Sequence, residues 1–243
     1  MKTLVSVLTL CVVVAGVASA ADPMLSTGYG KPEGSNVIAG TRDVCFSQPM
    51  DCYGYKISSE IIGAYGLESR GANDFLFEGE GQTTITKAIG YGGYYNWVQG
   101  DPPVTAYNLY FYTDAGCFPD QVICQYLGVT GTETFICWDG FGYPTYKYEF
   151  NVQCDVYCNE LYWFVHQAAD HVFPPQWGRQ GTNGVVQYCE SMFWSPFFGY
   201  NVWTPLSALI GFPDDYGQEF ECTGCGASAT QESSWGAIKG LYR

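Results

Sequence analysis

Cysteine number and placement constrain this chain more than any other feature. Eleven cysteines occur among 243 residues, and Cys11 sits inside an apolar leader. Lys2 supplies a positive n-region, Leu4 to Val17 is an apolar run of signal-peptide length, and Ala18-Ser19-Ala20 is an A-x-A cleavage site. Leu10 precedes Cys11 where a lipoprotein leader needs a small residue, so the leader reads as an export signal cleaved after Ala20. Nothing apolar later in the chain is long enough to span a bilayer. Removing Cys11 with the leader leaves ten cysteines, and an even set in an exported chain predicts disulfides. The shortest spacings suggest Cys45 with Cys52, Cys117 with Cys124, Cys154 with Cys158 and Cys222 with Cys225. Cys137 and Cys189 then pair across the fold. The rival is a zinc site built from Cys154, Cys158, Cys222 and Cys225. Zinc needs reduced thiolates, which an oxidising exterior disfavours. None of the eight asparagines begins an N-x-S/T sequon, which favours a bacterial exported protein.

Composition narrows the fold. The chain is 47% hydrophobic and only 14% charged, which excludes a disordered or coiled-coil chain. Aromatics make up 17% and there are 30 glycines, a balance that suits strands and tight turns. The net charge of −14 repels phosphate backbones, so nucleic acid is not an expected partner.

Residues 21–42 read as an extended lead-in, rich in Gly, Pro and polar residues. From residue 43 onward short alternating runs recur. Candidate strands are 57–63, 74–78, 83–91, 104–112, 121–129, 133–138, 145–153, 160–167, 185–190 and 216–222. Tyr146, Tyr148, Phe150 and Val152 alternate with Lys147, Glu149, Asn151 and Gln153, a half-buried strand. Turn chemistry separates the runs at Gly100-Asp101-Pro102-Pro103, Asp139-Gly140, Phe173-Pro174-Pro175 and Pro213-Asp214-Asp215. No helix of ten residues is expected before the C-terminus. The expected architecture is all-β: one antiparallel β-sandwich, jelly-roll-like and stapled by disulfides, over residues 43–225. Residues 226–243 begin with a Ser/Thr/Ala linker. They end in a segment with Trp235, Ile238, Leu241 and Tyr242 at helical spacing, either docked on the sandwich or used as a docking element for a partner.

Several short stretches carry a resemblance: Ala72-Asn73-Asp74-Phe75, Tyr91-Gly92-Gly93-Tyr94, Phe111-Tyr112-Thr113-Asp114, Leu161-Tyr162-Trp163 and Gln176-Trp177-Gly178. In this order the chain resembles exported bacterial jelly-roll β-sandwich domains of uncharacterised function, similar to carbohydrate-binding modules, over roughly residues 43–222. The end of the chain, Ser234 to Arg243, resembles a short C-terminal signature of exported proteins of such bacteria. The resemblance implies fold and export, and no established activity.

Catalytic signals are thin. His166 and His171 are the only histidines, and Asp170 is the nearest group to orient one. No G-x-S-x-G elbow, H-E-x-x-H, P-loop or dinucleotide fingerprint occurs. Glu219 and Glu221 share a strand face and could serve a hydrolase, the third functional reading, but no acid/base pair stands out. Calcium is the one candidate cofactor, with turn-proximal Asp74, Asp114, Asp139 and Asp214 as ligands. Aromatics give the best binding argument, because flat sugar faces stack on Trp and Tyr rings. Tyr94, Tyr95 and Trp97 precede a turn, Trp203 follows Tyr200, and Trp177 lies between a Pro-Pro turn and Arg179. These six are the expected ligand residues, with Trp177 foremost. The expected function is noncatalytic binding, outside the cell or on its surface, to a glycan or a surface protein. The alternative is a structural or adhesive envelope protein.

Overall fold

The computed structural model describes residues 25–26 and 44–223. The leader, most of the lead-in, Cys225 and the tail lie outside the described residues. Sixteen strands appear: β1 (Leu25–Ser26), β2 (Val44–Gln48), β3 (Lys56–Ser58), β4 (Ile61–Ile62), β5 (Leu67–Glu68), β6 (Arg70–Leu76), β7 (Gln82–Tyr95), β8 (Tyr107–Asp114), β9 (Pro119–Val129), β10 (Thr132–Trp138), β11 (Pro144–Tyr157), β12 (Leu161–Ala168), β13 (Gln176–Gln180), β14 (Met192–Ser195), β15 (Tyr200–Pro205) and β16 (Gln218–Thr223). The only α-helix among the described residues is α1 (Leu206–Ile210).

The strands form two main antiparallel sheets. The first runs β1-β3-β13-β7-β11-β10. Within it β7 is long enough to serve two neighbours on one edge, β16 along Thr84–Gly90 and β13 along Gly92–Tyr95. β2 pairs with β16. The second sheet runs β15-β14-β6-β12-β8-β9, and β4 and β5 form a separate two-stranded ribbon.

The core fills the space between the sheets. Phe220 on β16 meets Phe75 on β6 with ring centroids 4.5 Å apart, and Tyr148 on β11 meets Tyr107 on β8 at 4.9 Å. Every one of these rings is buried. The expected all-β antiparallel sandwich is the observed fold. Two glycines of the Gly90-Tyr91-Gly92-Gly93 stretch are required by close approach: a Cβ on Gly90 would strike the His166 ring, and one on Gly92 would strike the Trp177 ring.

The disulfides depart from the neighbour scheme. Cys45 pairs with Cys222, Cys52 with Cys137, Cys117 with Cys189 and Cys124 with Cys154. Cys158 is disulfide-bonded as well, so a Cys154–Cys158 bridge is excluded, as is the four-thiolate zinc site. The reason is strand order. Cys154 and Cys222 both lie opposite Ile85 on β7, so each faces a different neighbour from its sequence partner.

Residues 185–190, expected as a strand, form a loop. Acidic side chains capture its amides: Gly184 N donates to Asp214 Oδ1 at 2.8 Å, Gln187 N to Asp215 Oδ2 at 2.9 Å and Cys189 N to Asp74 Oδ2 at 2.6 Å. A backbone bonded this way has no free ladder to offer a sheet.

Candidate functional site

A row of aromatic rings leaves the core at the edge of the first sheet. Tyr148 is wholly buried, Tyr146 half-buried, Phe135 46% exposed and Trp138 54% exposed. Phe135 lies opposite Tyr146 in the β10–β11 ladder, and Trp138 lies opposite Pro144. A register shift between Phe135 and Cys137 adds one residue. That bulge keeps Trp138 on the same face as Phe135, where strict alternation would turn it away. The centroids are 5.3 Å apart for Phe135 and Trp138, 5.9 Å for Phe135 and Tyr146 and 6.0 Å for Tyr146 and Tyr94. Exposure rises along the row because β10 is the last strand of its sheet.

The turn beyond Trp138 is held from three sides. Asp139 Oδ1 accepts hydrogen bonds from Phe141 N and Tyr143 N, both at 2.9 Å. Its Oδ2 pairs with Lys56 Nζ at 2.9 Å, both side chains being almost fully buried. Lys56 Nζ also reaches the carbonyls of Tyr94 and Pro144, so its three protons have three acceptors. Burial lowers the Lys56 pKa and the Asp139 carboxylate opposes that shift. The Cys52–Cys137 bridge anchors the strand end, and Gly142 supplies the left-handed conformation at φ 81°. Phe141 projects from this turn 54% exposed. Tyr143 packs edge-on to Tyr95 at 5.6 Å. The result is three exposed rings on a rigid corner, with Glu133 on the same strand. Partial burial pushes the Glu133 carboxyl up, and a hydrogen bond with Tyr148 opposes the shift.

The expected ligand residues are not gathered in one place. Trp177 is a core residue, not an outward loop ring: it is wholly buried on β13, and its Nε1 donates to Tyr148 Oη at 3.2 Å. Arg179 is likewise buried. It donates to the carbonyls of Gly71 and Phe164 and to Gln218 Oε1, tying β13 to the second sheet. Burial lowers its pKa to about 9. Tyr94 is buried, and its hydroxyl accepts from Val104 N. Tyr95 and Trp97 are half-buried; Tyr95 packs on Tyr143 of the corner, and Trp97 packs on the core. Trp203 belongs to the other sheet, half-buried with its ring 5.9 Å from Tyr112. There Arg70 lies over the Tyr110 ring at 4.5 Å and is paired with Glu68.

Each candidate calcium ligand accepts from protein donors, although Asp74 Oδ1 and Asp214 Oδ2 are buried without a hydrogen-bond partner. Asp114 accepts from Gly116 N, Cys117 N and Trp163 Nε1, and Asp214 from Thr182, Gly184 and Asp215. Asp74 accepts from Cys189 N, and Asp139 serves its turn and Lys56. Among the described residues no three His, Cys, Asp or Glu side chains are grouped to hold a metal. The acidic pair is also separated in role: Glu219 accepts from Tyr91 Oη at 2.6 Å, and Glu221 pairs with Lys87.

His166 is a fully buried core ring whose pKa is driven well below its usual range, by desolvation and then by Arg179. His171 is oriented by Glu60 rather than by Asp170, with Nε2 to Oε2 at 3.0 Å. Asp170 instead accepts from Gly63 N. Glu60 is wholly buried and also accepts from Trp177 N and Ser58 Oγ. Sequence reasoning had no signal for Glu60, which lies 111 residues from its histidine. Nor did it single out Phe135, Trp138 or Phe141. The chain matches no protein-family model, no curated protein and no solved structure.

Proposed function

We propose that this protein is an exported, noncatalytic glycan-binding protein, and that the β10–β11 corner is its binding surface. The observation that carries the reading is the set of Phe135, Trp138 and Phe141, each about half exposed on a turn fixed by a buried ion pair and a disulfide. Rings held this way lose little entropy when a sugar stacks on them. Four disulfides suggest an oxidising, extracellular setting. No helix among the described residues is long and apolar enough to cross a membrane. The ligand class is neutral. Twenty acidic side chains lie in residues 44–223 against five basic ones, and all five are paired or buried.

A glycan array tests this. The wild-type protein is expected to retain neutral glycans, Trp138→Ala to lose them, and Trp203→Ala to keep them. Failure of the wild type on every glycan would overturn the reading.

A further inference from the structure

We propose that Lys56 and Asp139 condense to an intramolecular amide, a covalent cross-link from β3 to the turn between β10 and β11. Lys56 Nζ stands 2.9 Å from Asp139 Oδ2, with only 1% and 3% of the two side chains exposed. The other described lysines, Lys87 and Lys147, keep 29% and 25% of their side chains in water. Lys56 is therefore the one described lysine whose amine is dry and held against a carboxyl group. An ion pair taken out of water costs the desolvation of both charges. Joining the two groups removes both charges at once.

The site has the parts of an acyl transfer. Desolvation lowers the Lys56 pKa, against the opposing pull of Asp139, and a lowered pKa favours the free amine that attack requires. Phe141 N and Tyr143 N both donate to Asp139 Oδ1 at 2.9 Å. The oxygen that gathers negative charge in a tetrahedral intermediate thus already faces two fixed donors, at the distance such donors need. The fold supplies proximity. β3 is held in register by β13, and the turn is tied down by the Cys52–Cys137 bridge.

The step needs no further reagent. The ammonium passes one proton to Oδ2, and the free amine attacks Cγ to form the Nζ–Cγ bond. Nζ then passes a second proton to Oδ2, the Cγ–Oδ2 bond breaks, and Oδ2 leaves as water. One N–H remains on the new amide. The carbonyls of Tyr94 and Pro144, at 3.3 and 3.4 Å from Nζ, stand ready to accept it. Oδ1 keeps both of its backbone donors. The product therefore leaves no buried polar group unpaired. It joins residues 83 positions apart, beside the Cys52–Cys137 bridge, by a bond that a reductant does not open.

Peptide mapping of the folded wild-type protein tests the proposal. Reduction and alkylation first open the Cys52–Cys137 bridge, which would otherwise join the same peptides. Trypsin is then expected to leave residues 43–70 and 88–147 as one branched species, because an acylated Lys56 is no longer cut. That species should be one water lighter than its two peptides together, and fragmentation should place the junction at Lys56 and Asp139. Asp139→Ala and Lys56→Arg should each release the peptides separately. Where a variant fails to fold, the wild-type map decides alone. Separate peptides 43–56 and 88–147 at their unmodified masses, from the folded wild type, would overturn the proposal and leave an ordinary buried ion pair.

Discussion

Trp177 and Trp138 are both tryptophans next to turn chemistry, yet one is wholly buried and the other is 54% exposed. Trp177 follows Pro174-Pro175 and precedes Gly178-Arg179, a context that reads as an open loop. Trp138 ends a strand and precedes Asp139-Gly140, a context that reads as an ordinary hairpin. Strand order reverses the expectation. β13 lies between β3 and β7, so its residues are covered on both edges and by the second sheet. Among the described residues β10 has a neighbour on one side only. Local sequence sets where the chain turns, but the exposure of a ring is decided by which strands arrive beside it.

The largest effect expected from this contrast is on stability. Trp177→Ala removes a ring packed against His166, Tyr107 and Tyr148 and should cost about 3–5 kcal/mol in denaturant unfolding. A loss under about 1 kcal/mol would mean that the site collapses around the cavity and that β13 is less central than its pairing indicates.

The corner holding Trp138 has its own buried support, and breaking it comes next in size. Asp139→Ala leaves the Lys56 ammonium buried without its counter-ion and strips the turn amides of their acceptor, at a cost of about 3 kcal/mol. Replacing both partners, Lys56→Met with Asp139→Leu, should recover part of that loss, because no charge then stays stranded. Thermal unfolding of the three proteins separates the outcomes. No recovery in the double variant would assign the effect to the turn hydrogen bonds alone.

The strands with clear alternation were legible: 83–91, 104–112, 145–153 and 160–167 all lie in or overlap β7, β8, β11 and β12. The missed strands β1, β2, β5, β13, β14 and β15 are short, and β13 (Gln-Trp-Gly-Arg-Gln) is buried at every residue, so it shows no alternation to read. The disulfide map was not legible, because Cys45 and Cys222 are 177 residues apart and meet only through β16 pairing with β2. At the site, Tyr95 packs on Tyr143 of the corner, and Trp97 packs on the core. Phe135 and Trp138 sat inside an expected strand, where an aromatic is ordinarily core.

The loop over Asp74 and Asp215 gives a third test, in the region that alternation misread as a strand. Desolvation pushes Asp74 up to about 7, with Asp114 adding to it, and pushes Asp215 up to about 8, with Asp74 and Asp214 adding to it. Their folded pKa values lie above the unfolded value near 4, so the folded state binds more protons than the unfolded state between those limits. Stability is therefore greatest in acid, falls as pH rises above about 4, and levels off once pH passes about 7 to 8. Asp215→Asn should flatten that decline. A midpoint that rises with pH across this range would contradict the assignment.

The smallest stability effect belongs to Trp138, and it is the one that separates a binding ring from a packing ring. Its side chain packs on Phe135, itself 46% exposed, and the turn that follows is held by Asp139, Lys56 and the Cys52–Cys137 bridge rather than by the indole. Trp138→Ala should therefore change the unfolding free energy by no more than about 0.5 kcal/mol. The same substitution removes the largest exposed ring of the corner and should weaken neutral-glycan binding by at least tenfold, about 1.4 kcal/mol. Trp138→Phe keeps an aromatic face and should restore part of that affinity. Calorimetric titration beside thermal unfolding reads both quantities on one preparation. A drop of many degrees in Trp138→Ala would make the indole a buttress of the turn, and the contrast with Trp177 would then be one of degree rather than of role.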